Sequence, residues 1–151
     1  MIIGDWMGLE AADYKKITVG DQASIARTIT ETDISLFARI TGDFNPVHVN
    51  EEFAKKTMFK GRIAHGMLIA SLVSTVLGTK LPGFGSIYVS QTLRFMKPVR
   101  IGDTITATVE VVKKIERDPQ KDPLIELRTT CFNQKNQEVL TGEAVLIVKR
   151  K

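Results

Sequence analysis

The sequence predicts an α+β domain in which an antiparallel β-sheet wraps around one long, buried α-helix. Residues 62–81 carry apolar side chains on nearly every face of a helix, and such a helix is normally surrounded by protein. One segment before this stretch and three after it alternate apolar and polar residues, which is typical of strands with one buried face, and a fourth later segment is continuously apolar. One helix among several strands favours a curled sheet with that helix inside.

Length and composition are those of one ordinary globular domain. The chain has 151 residues, of which 43% are hydrophobic and 25% charged, so we expect residues 1–151 to form one domain. Its one cysteine, Cys131, excludes an internal disulfide and a cysteine cluster for metal. This cysteine usage is consistent with a reducing compartment, and we therefore expect a cytoplasmic protein.

Charge and hydropathy restrict the classes of partner. The net charge of +4 suits a polyanion, but the basic residues are scattered and no zinc-finger spacing occurs, which disfavours nucleic acid. A charged surface that serves only to keep the protein soluble explains the same net charge. Residues Met1–Trp6 lack a basic region followed by an apolar run, so no signal peptide is expected. Residues 63–79 are uncharged but include His65 and several hydroxyl groups, which favours a buried helix over a membrane span.

The first elements are a strand and a capped helix. Residues 17–29 alternate as a strand does. Residues 30–33 have the capping-box form, with Asp33 in place of the preferred glutamate, and predict a helix start. Gly42 predicts the helix end, because glycine adopts the left-handed C-cap conformation without strain. The apolar stripe of this helix consists of Ile34, Phe37, Ala38 and Ile40.

Two more helices follow. Asn50, Glu51 and Glu52 predict the start of a short helix whose acidic residues come early and whose lysines come late, as the helix dipole favours. The long helix of residues 62–81 ends at Pro82. A narrow stripe of small residues interrupts its apolar surface and consists of Ser71, Ser74, Thr75 and Gly78.

The remaining segments predict strands joined by tight turns. Residues 86–96 read as one strand with an apolar face of Ile87, Val89, Leu93 and Phe95. Residues 104–111 and 125–131 alternate in the same way, whereas residues 144–148 are continuously apolar and predict a central strand. Turn-forming residues at 118–123 and 133–137 predict hairpins.

The segment from Thr41 to His48 carries the clearest chemical signal. It places the Asp43 carboxylate and the His48 imidazole five residues apart on a turn that follows a helix. Pro46 restricts the backbone there, and Asn45 is suited to shape the turn through its side chain. A carboxylate and an imidazole held near one water can divide the removal and delivery of its proton. The alternative is an Asx turn at Asp43 beside a surface histidine.

The sequence resembles the MaoC-like (R)-specific enoyl-CoA hydratases. Four segments from residue 42 to residue 144 carry the resemblance, which extends over nearly the whole chain. The length is similar to that of the short bacterial hydratases of polyhydroxyalkanoate synthesis. The segments are Gly42-Asp43-x-Asn45-Pro46-x-His48 with Ala54, His65-Gly66-Met67-Leu68, Pro82-Gly83-x-Gly85-Ser86, and Thr141-Gly142-Glu143-Ala144.

The resemblance implies a hot-dog fold and reversible hydration of a trans-2-enoyl-CoA to the (R)-3-hydroxyacyl-CoA. It implies that Asp43 and His48 activate the water. It also assigns the matching glycine, Gly66, to the oxyanion of the thioester, as a helix N-terminus can provide. The alternative for Gly66 is a glycine needed only for tight entry into the helix.

Further residues have weaker assignments. Ser74 matches a serine near the site of the short hydratases, although a hydroxyl bonded to its own helix explains it equally well. Asn45 and Phe44 are expected near the substrate, with the Phe44, Met58 and Phe59 region as a candidate acyl tunnel. We expect His65 to orient the turn before Gly66 without a catalytic role. No phosphate loop, dinucleotide motif or metal-spaced histidine cluster occurs, so neither cofactor nor metal is expected.

Two alternatives remain open at the level of sequence. One is a 3-hydroxyacyl-acyl-carrier-protein dehydratase, which has the same chemistry on a different carrier. The other is a non-catalytic hot-dog subunit that binds acyl thioesters, although the intact Asp43, Asn45 and His48 argue against it. The uncovered strand edges expected for such a sheet favour a homodimer, or a dimer of dimers, paired edge to edge.

Overall fold

A computed structural model describes residues 10–150. Residues 1–9 and residue 151 lie outside this range, and so does the Met1–Trp6 segment on which the signal-peptide expectation depends. A 3-10 helix, Tyr14–Lys16, comes first. The strands are β1 (Gln22–Thr28), β2 (Ile87–Gln91), β3 (Arg94–Phe95), β4 (Thr104–Ile115), β5 (Leu124–Phe132) and β6 (Glu138–Ile147), and the helices are α1 (Glu31–Thr41), α2 (Pro46–Val49), α3 (Glu51–Lys55) and α4 (Gly66–Thr79).

All described strand pairs are antiparallel and form one six-stranded sheet. The order across the sheet is β1-β4-β5-β6-β2, and the short β3 also pairs with β6. Helix α4 packs against β1, β4 and β5. The predicted α+β class, with an antiparallel sheet around a long helix, is therefore confirmed.

The core forms where the sheet meets α4. The alternating residues of β4 and β5 are fully buried, as their period of two predicts. On α4 the buried face joins them in a single cluster. These buried residues are Ile105, Ala107, Val109 and Val111 of β4, Ile125, Leu127, Thr129 and Cys131 of β5, and Ile69, Ala70, Leu72, Val73, Val76 and Leu77 of α4.

Several predicted boundaries need correction. The first strand begins at Gln22 rather than at Ile17, because a turn through Gly20, with a φ of 95°, precedes it. The long helix spans only Gly66–Thr79, and residues 62–65 have no regular secondary structure. Ile40 does not belong to the buried stripe of α1, since its side chain is 82% exposed. The segment from Thr41 to His48, predicted as a turn, leads into the one-turn helix α2, Pro46–Val49.

The predicted strand of residues 86–96 is divided into β2 and β3. At the break the chain approaches β6 closely, since a Cβ atom at Gly142 would lie 1.9 Å from the carbonyl oxygen of Thr92. Much of the predicted apolar face remains exposed in the chain, including Ile87, Val89 and Phe95. The two hairpin turns and the interior position of β6 are confirmed. Among residues 10–150, no helix is long and apolar enough to cross a membrane.

The predicted capping box at the start of α1 is present. Thr30 Oγ1 accepts from the Asp33 amide at 3.1 Å, and Asp33 Oδ2 accepts from the Thr30 amide at 2.9 Å. The Arg27 guanidinium lies 2.7 Å from the same carboxylate. The Thr30 amide, aided by the Thr30 hydroxyl and Arg27, lowers the pKa of Asp33 below its ordinary value of 3.8. The ionised carboxylate therefore stabilises the helix that leads to Asp43.

We expect Asp33→Asn to lower stability near neutral pH and to reduce the loss of stability on acidification. The native pKa of Asp33 is below its unfolded value, so its contribution is full above about pH 4 and disappears as the pH falls through the native pKa. Urea unfolding of both proteins at neutral pH and at about pH 3 measures the difference. Asp118→Asn, in the exposed β4–β5 turn, is the control. An unchanged pH dependence in Asp33→Asn would contradict this account.

Candidate active site

Asp43 lies at the point where the chain leaves α1. Gly42 ends the helix in the left-handed conformation, with a φ of 77°, and its amide donates to Ala38. Asp43 Oδ1 then accepts from the Asn45 amide at 3.2 Å, and Asn45 Oδ1 accepts from the Val47 amide at 3.3 Å. The Asx turn considered from the sequence is thus present, but it engages one carboxylate oxygen of an exposed aspartate.

His48 is presented by α2, which Asn45 caps and Pro46 begins. Its Nδ1 lies 2.9 Å from the carbonyl oxygen of Ile63. A carbonyl only accepts, so Nδ1 donates and the lone pair of the neutral ring is on Nε2. The fold therefore leaves the outer nitrogen of His48 available as a proton acceptor.

His65 lies against both of these residues. It is the N-cap residue of α4 and is only 2% exposed. Its Nε2 is 2.9 Å from the main-chain oxygen of Asp43, and its ring stacks on His48 at a centroid distance of 3.9 Å. Within residues 10–150, its Nδ1 has no hydrogen-bond partner. This adjacency was not predicted from the sequence, although the position of His65 directly before Gly66 was a usable signal.

Gly66 is the first residue of α4, where the backbone amides precede the hydrogen-bond ladder of the helix. A Cβ atom at this position would lie 2.7 Å from Cε1 of Phe95. The sequence did not indicate this contact, because it arises from the pairing of β3 with β6. A larger residue here would therefore have to displace the Phe95 ring, although the backbone of Gly66 is in an ordinary conformation.

Two adjoining cavities meet at Gly66. The smaller, of about 200 Å³, is lined by Asp43, His48, His65 and their neighbours. The larger, of about 480 Å³, shares His48, Gly66 and Met67 with it and is otherwise mostly apolar. Lys97 is the one charged residue among those that line it, and the apolar part of the wall includes Phe59, Ile63, Ile69, Phe95, Val99 and Val139. The arrangement is an apolar chamber that ends at a carboxylate and an imidazole.

The structure does not bring every predicted residue to these cavities. Phe59 lines the larger one, as expected, whereas Phe44 and Met58 are exposed and line neither. Ser74 is exposed on the outer face of α4, eight positions after Gly66 and roughly 12 Å further along the axis. Asn45 supports the turn by accepting from the Val47 amide, and it lines neither of these cavities.

One group of side chains has the composition of a metal site. Ligand atoms of Asp43, His48 and His65 lie within 4.8 Å of one another. However, the planes of the two stacked imidazoles are inclined by only 30°, so their in-plane lone pairs do not converge at a metal–nitrogen distance of about 2.1 Å. One nitrogen of each ring also donates to a carbonyl. The geometry suits proton transfer better than metal binding.

Comparisons with known proteins agree on one family. The family model described as "MaoC like domain" matches residues 16–130. An (R)-specific enoyl-CoA hydratase of Rhodospirillum rubrum is 52% identical over 135 residues, which cover 89% of this chain and 90% of that protein. A 3-hydroxybutyryl-CoA dehydratase of Methylorubrum extorquens is 45% identical, with coverages of 91% and 85%. The crystallised (R)-hydratase from A. caviae involved in PHA biosynthesis is 41% identical, with coverages of 89% and 98% and a TM-score of 0.83.

Proposed function

Because this chain belongs to the MaoC-like family, with its hot-dog fold, we propose that it hydrates trans-2-enoyl-CoA reversibly to (R)-3-hydroxyacyl-CoA. The observation that carries the proposal is the meeting of Asp43, His48 and Gly66 at one end of an apolar chamber. The enzyme class is a hydro-lyase. No part of the reaction requires a cofactor.

Asp43 and His48 act as the acid–base pair. The water oxygen attacks the β-carbon, and the pair accepts one proton from that water and returns one to the α-carbon, so protons balance. The bare Nε2 of His48 suits the accepting role, because Nδ1 is committed to the Ile63 carbonyl. Both side chains lie beside one cavity, so water and proton reach the same face of the enoyl group. This supports syn addition, and the R outcome rests on the family resemblance.

The Gly66 amide is placed to stabilise the enolate. Attack on the β-carbon transfers negative charge to the thioester oxygen, and a helix N-terminus with free amides stabilises such charge. Gly66 separates the polar cavity from the apolar one, so a thioester there would direct its acyl group into the larger chamber.

The remaining residues have supporting roles. We propose that Asn45 holds the turn that carries the pair and that Phe44 and Ser74 contact substrate only in an assembled oligomer, because both are exposed in the chain. Residues 1–151 act as one domain in the cytoplasm. Burial raises the pKa of the lone Cys131 thiol to about 12, which is consistent with an inert structural cysteine.

We further propose a homodimer, or a dimer of dimers, paired through β2. Strand β2 is one edge of the sheet and exposes Ile87, Tyr88 and Val89. An exposed apolar edge strand invites pairing with another strand. If a two-fold axis relates the two copies, each β2 pairs with the β2 of its partner. The exposed β2 edge of each copy is then covered.

The activity test is hydration of crotonyl-CoA, followed by the loss of enoyl-thioester absorbance and by chiral analysis of the product. We expect the (R)-3-hydroxy product and a fall in turnover of at least about a hundredfold in Asp43→Asn and in His48→Gln. Asp118→Asn is the control for the aspartate substitution. No absorbance change with the wild type would revive the non-catalytic alternative, and faster turnover of a crotonyl-acyl-carrier protein would favour the carrier-protein dehydratase. An S product would contradict the assigned stereochemistry.

Gly66→Val is expected to reduce turnover by about a hundredfold or more with little change in melting temperature. The new side chain displaces the half-exposed Phe95 and blocks the thioester, while the core of α4 remains intact. The double variant Gly66→Ala with Phe95→Ala removes the collision but keeps a Cβ beside the amide, so it should remain slow relative to Phe95→Ala alone. Gly78→Ala, with no neighbour within 4 Å, is the helix control. Full activity in Gly66→Val would eliminate the oxyanion role.

Val89→Lys should shift the protein from dimer towards monomer. It places like charges opposite each other across the proposed β2 pair, where they repel. Val19→Lys is the matched control, because Val19 is 56% exposed and Val89 is 54% exposed, but Val19 lies in the turn before β1. Sedimentation at micromolar concentration measures both. A monomeric wild type, or a Val89→Lys variant as dimeric as the wild type, would contradict pairing through β2.

A further inference from the structure

The acid–base reaction proposed above leaves His65 without a role. This side chain is 2% exposed, and burial of an imidazole costs free energy unless its polar atoms are bonded. Only Nε2 has a partner, while Nδ1 has none within the described chain. Filling space would not require a polar ring here. The single hydrogen bond that the His65 side chain makes within the described chain therefore needs an explanation.

That bond joins the two helix ends that form the site. Its acceptor is a carbonyl, so His65 Nε2–H donates to the main chain of Asp43 at 2.9 Å. Asp43 belongs to the segment that leaves α1, and His65 caps α4, 22 positions later. The side chain of Asp43 holds the turn only from its own side, through the Asn45 amide. Among residues 10–150, the hydrogen bond from His65 is thus the one that joins the Asp43 peptide to α4.

The orientation of the His65 ring is itself determined by packing. One face stacks on the His48 ring, with 3.9 Å between the ring centroids. The Phe37 ring lies tilted against the His65 ring, with 5.0 Å between their centroids. A ring held in this way keeps Nε2 directed at the Asp43 carbonyl. It also lies beside the imidazole with which Asp43 must cooperate. Any shift of the Asp43 peptide would change the spacing between its carboxylate and His48.

We propose that His65 is a positioning residue, whose Nε2–H holds the Asp43 main chain at a distance from His48 that permits proton transfer. The proposal rests on the proposed hydratase function. His65 does not touch the reacting atoms in this role. Its loss should lower kcat rather than raise KM, because the acyl chamber does not include it. A misplacement of about 1 Å at a catalytic group costs up to about a hundredfold in rate.

Two substitutions separate the hydrogen bond from the ring. His65→Gln places an amide donor near the position of Nε2 and removes the aromatic ring. His65→Phe keeps a ring against His48 but leaves the Asp43 carbonyl unpaired. We expect His65→Phe to lose about ten- to a hundredfold in kcat with KM for crotonyl-CoA nearly unchanged, and His65→Gln to recover most of that loss. Melting temperatures of both variants report whether each is folded.

Nitrogen-15 NMR of the wild-type protein provides a test that needs neither a variant nor activity. We expect the proton of neutral His65 on Nε2, with Nδ1 bare. The opposite tautomer would overturn the proposal, and so would wild-type kcat in folded His65→Phe or an equal loss in both variants. If His65→Phe fails to fold, two results still test the proposal. They are the tautomer of His65 and the kcat of His65→Gln, which should stay close to the wild-type value. A wild type that does not hydrate crotonyl-CoA would instead overturn the proposed function, which keeps the two failures distinct.

Discussion

The packing of α4 against the sheet is the interaction on which the rest of the structure depends. Fully buried residues such as Val73, Val76 and Leu77 meet the buried faces of β4 and β5. Each large apolar side chain removed from water stabilises the fold by about 1.5–3 kcal/mol. This burial determines the axis and register of α4, and so determines where Gly66, at its N-terminus, lies. The position of the polar site therefore depends on the apolar packing of α4.

The site forms where two helix ends meet. Helix ends carry backbone groups without partners in the helix, and here side chains engage nearby carbonyls. His48 bonds to the Ile63 carbonyl just before α4, and His65 bonds to the Asp43 carbonyl just after α1. His48 therefore ties α2 to the segment before α4, and His65 ties α4 to the segment after α1, and both bonds lie at the site. The site owes its order to main-chain contacts more than to bonds between the reactive groups.

The interruption between β2 and β3 connects the sheet edge with the site. Only glycine at position 142 permits the approach of the Thr92 carbonyl, and β3 resumes pairing with β6 beyond it. Phe95, in β3, lies with its ring against Gly66. The same interruption leaves β2 as a short apolar edge. The β2–β3 region therefore contributes both a residue of the chamber wall and an exposed apolar edge.

Local signals in the sequence determined the fold class, the capping box, the C-cap at Gly42 and the buried alternation of β4 and β5, because each depends on neighbouring residues alone. The placement of Asp43 and His48 on one turn was predictable for the same reason. Tertiary structure alone decided the stacking of His65 on His48, the contact of Phe95 with Gly66 and the exposure of Ser74. These features join residues distant in sequence, and helix phase and strand register set them only after the core has packed.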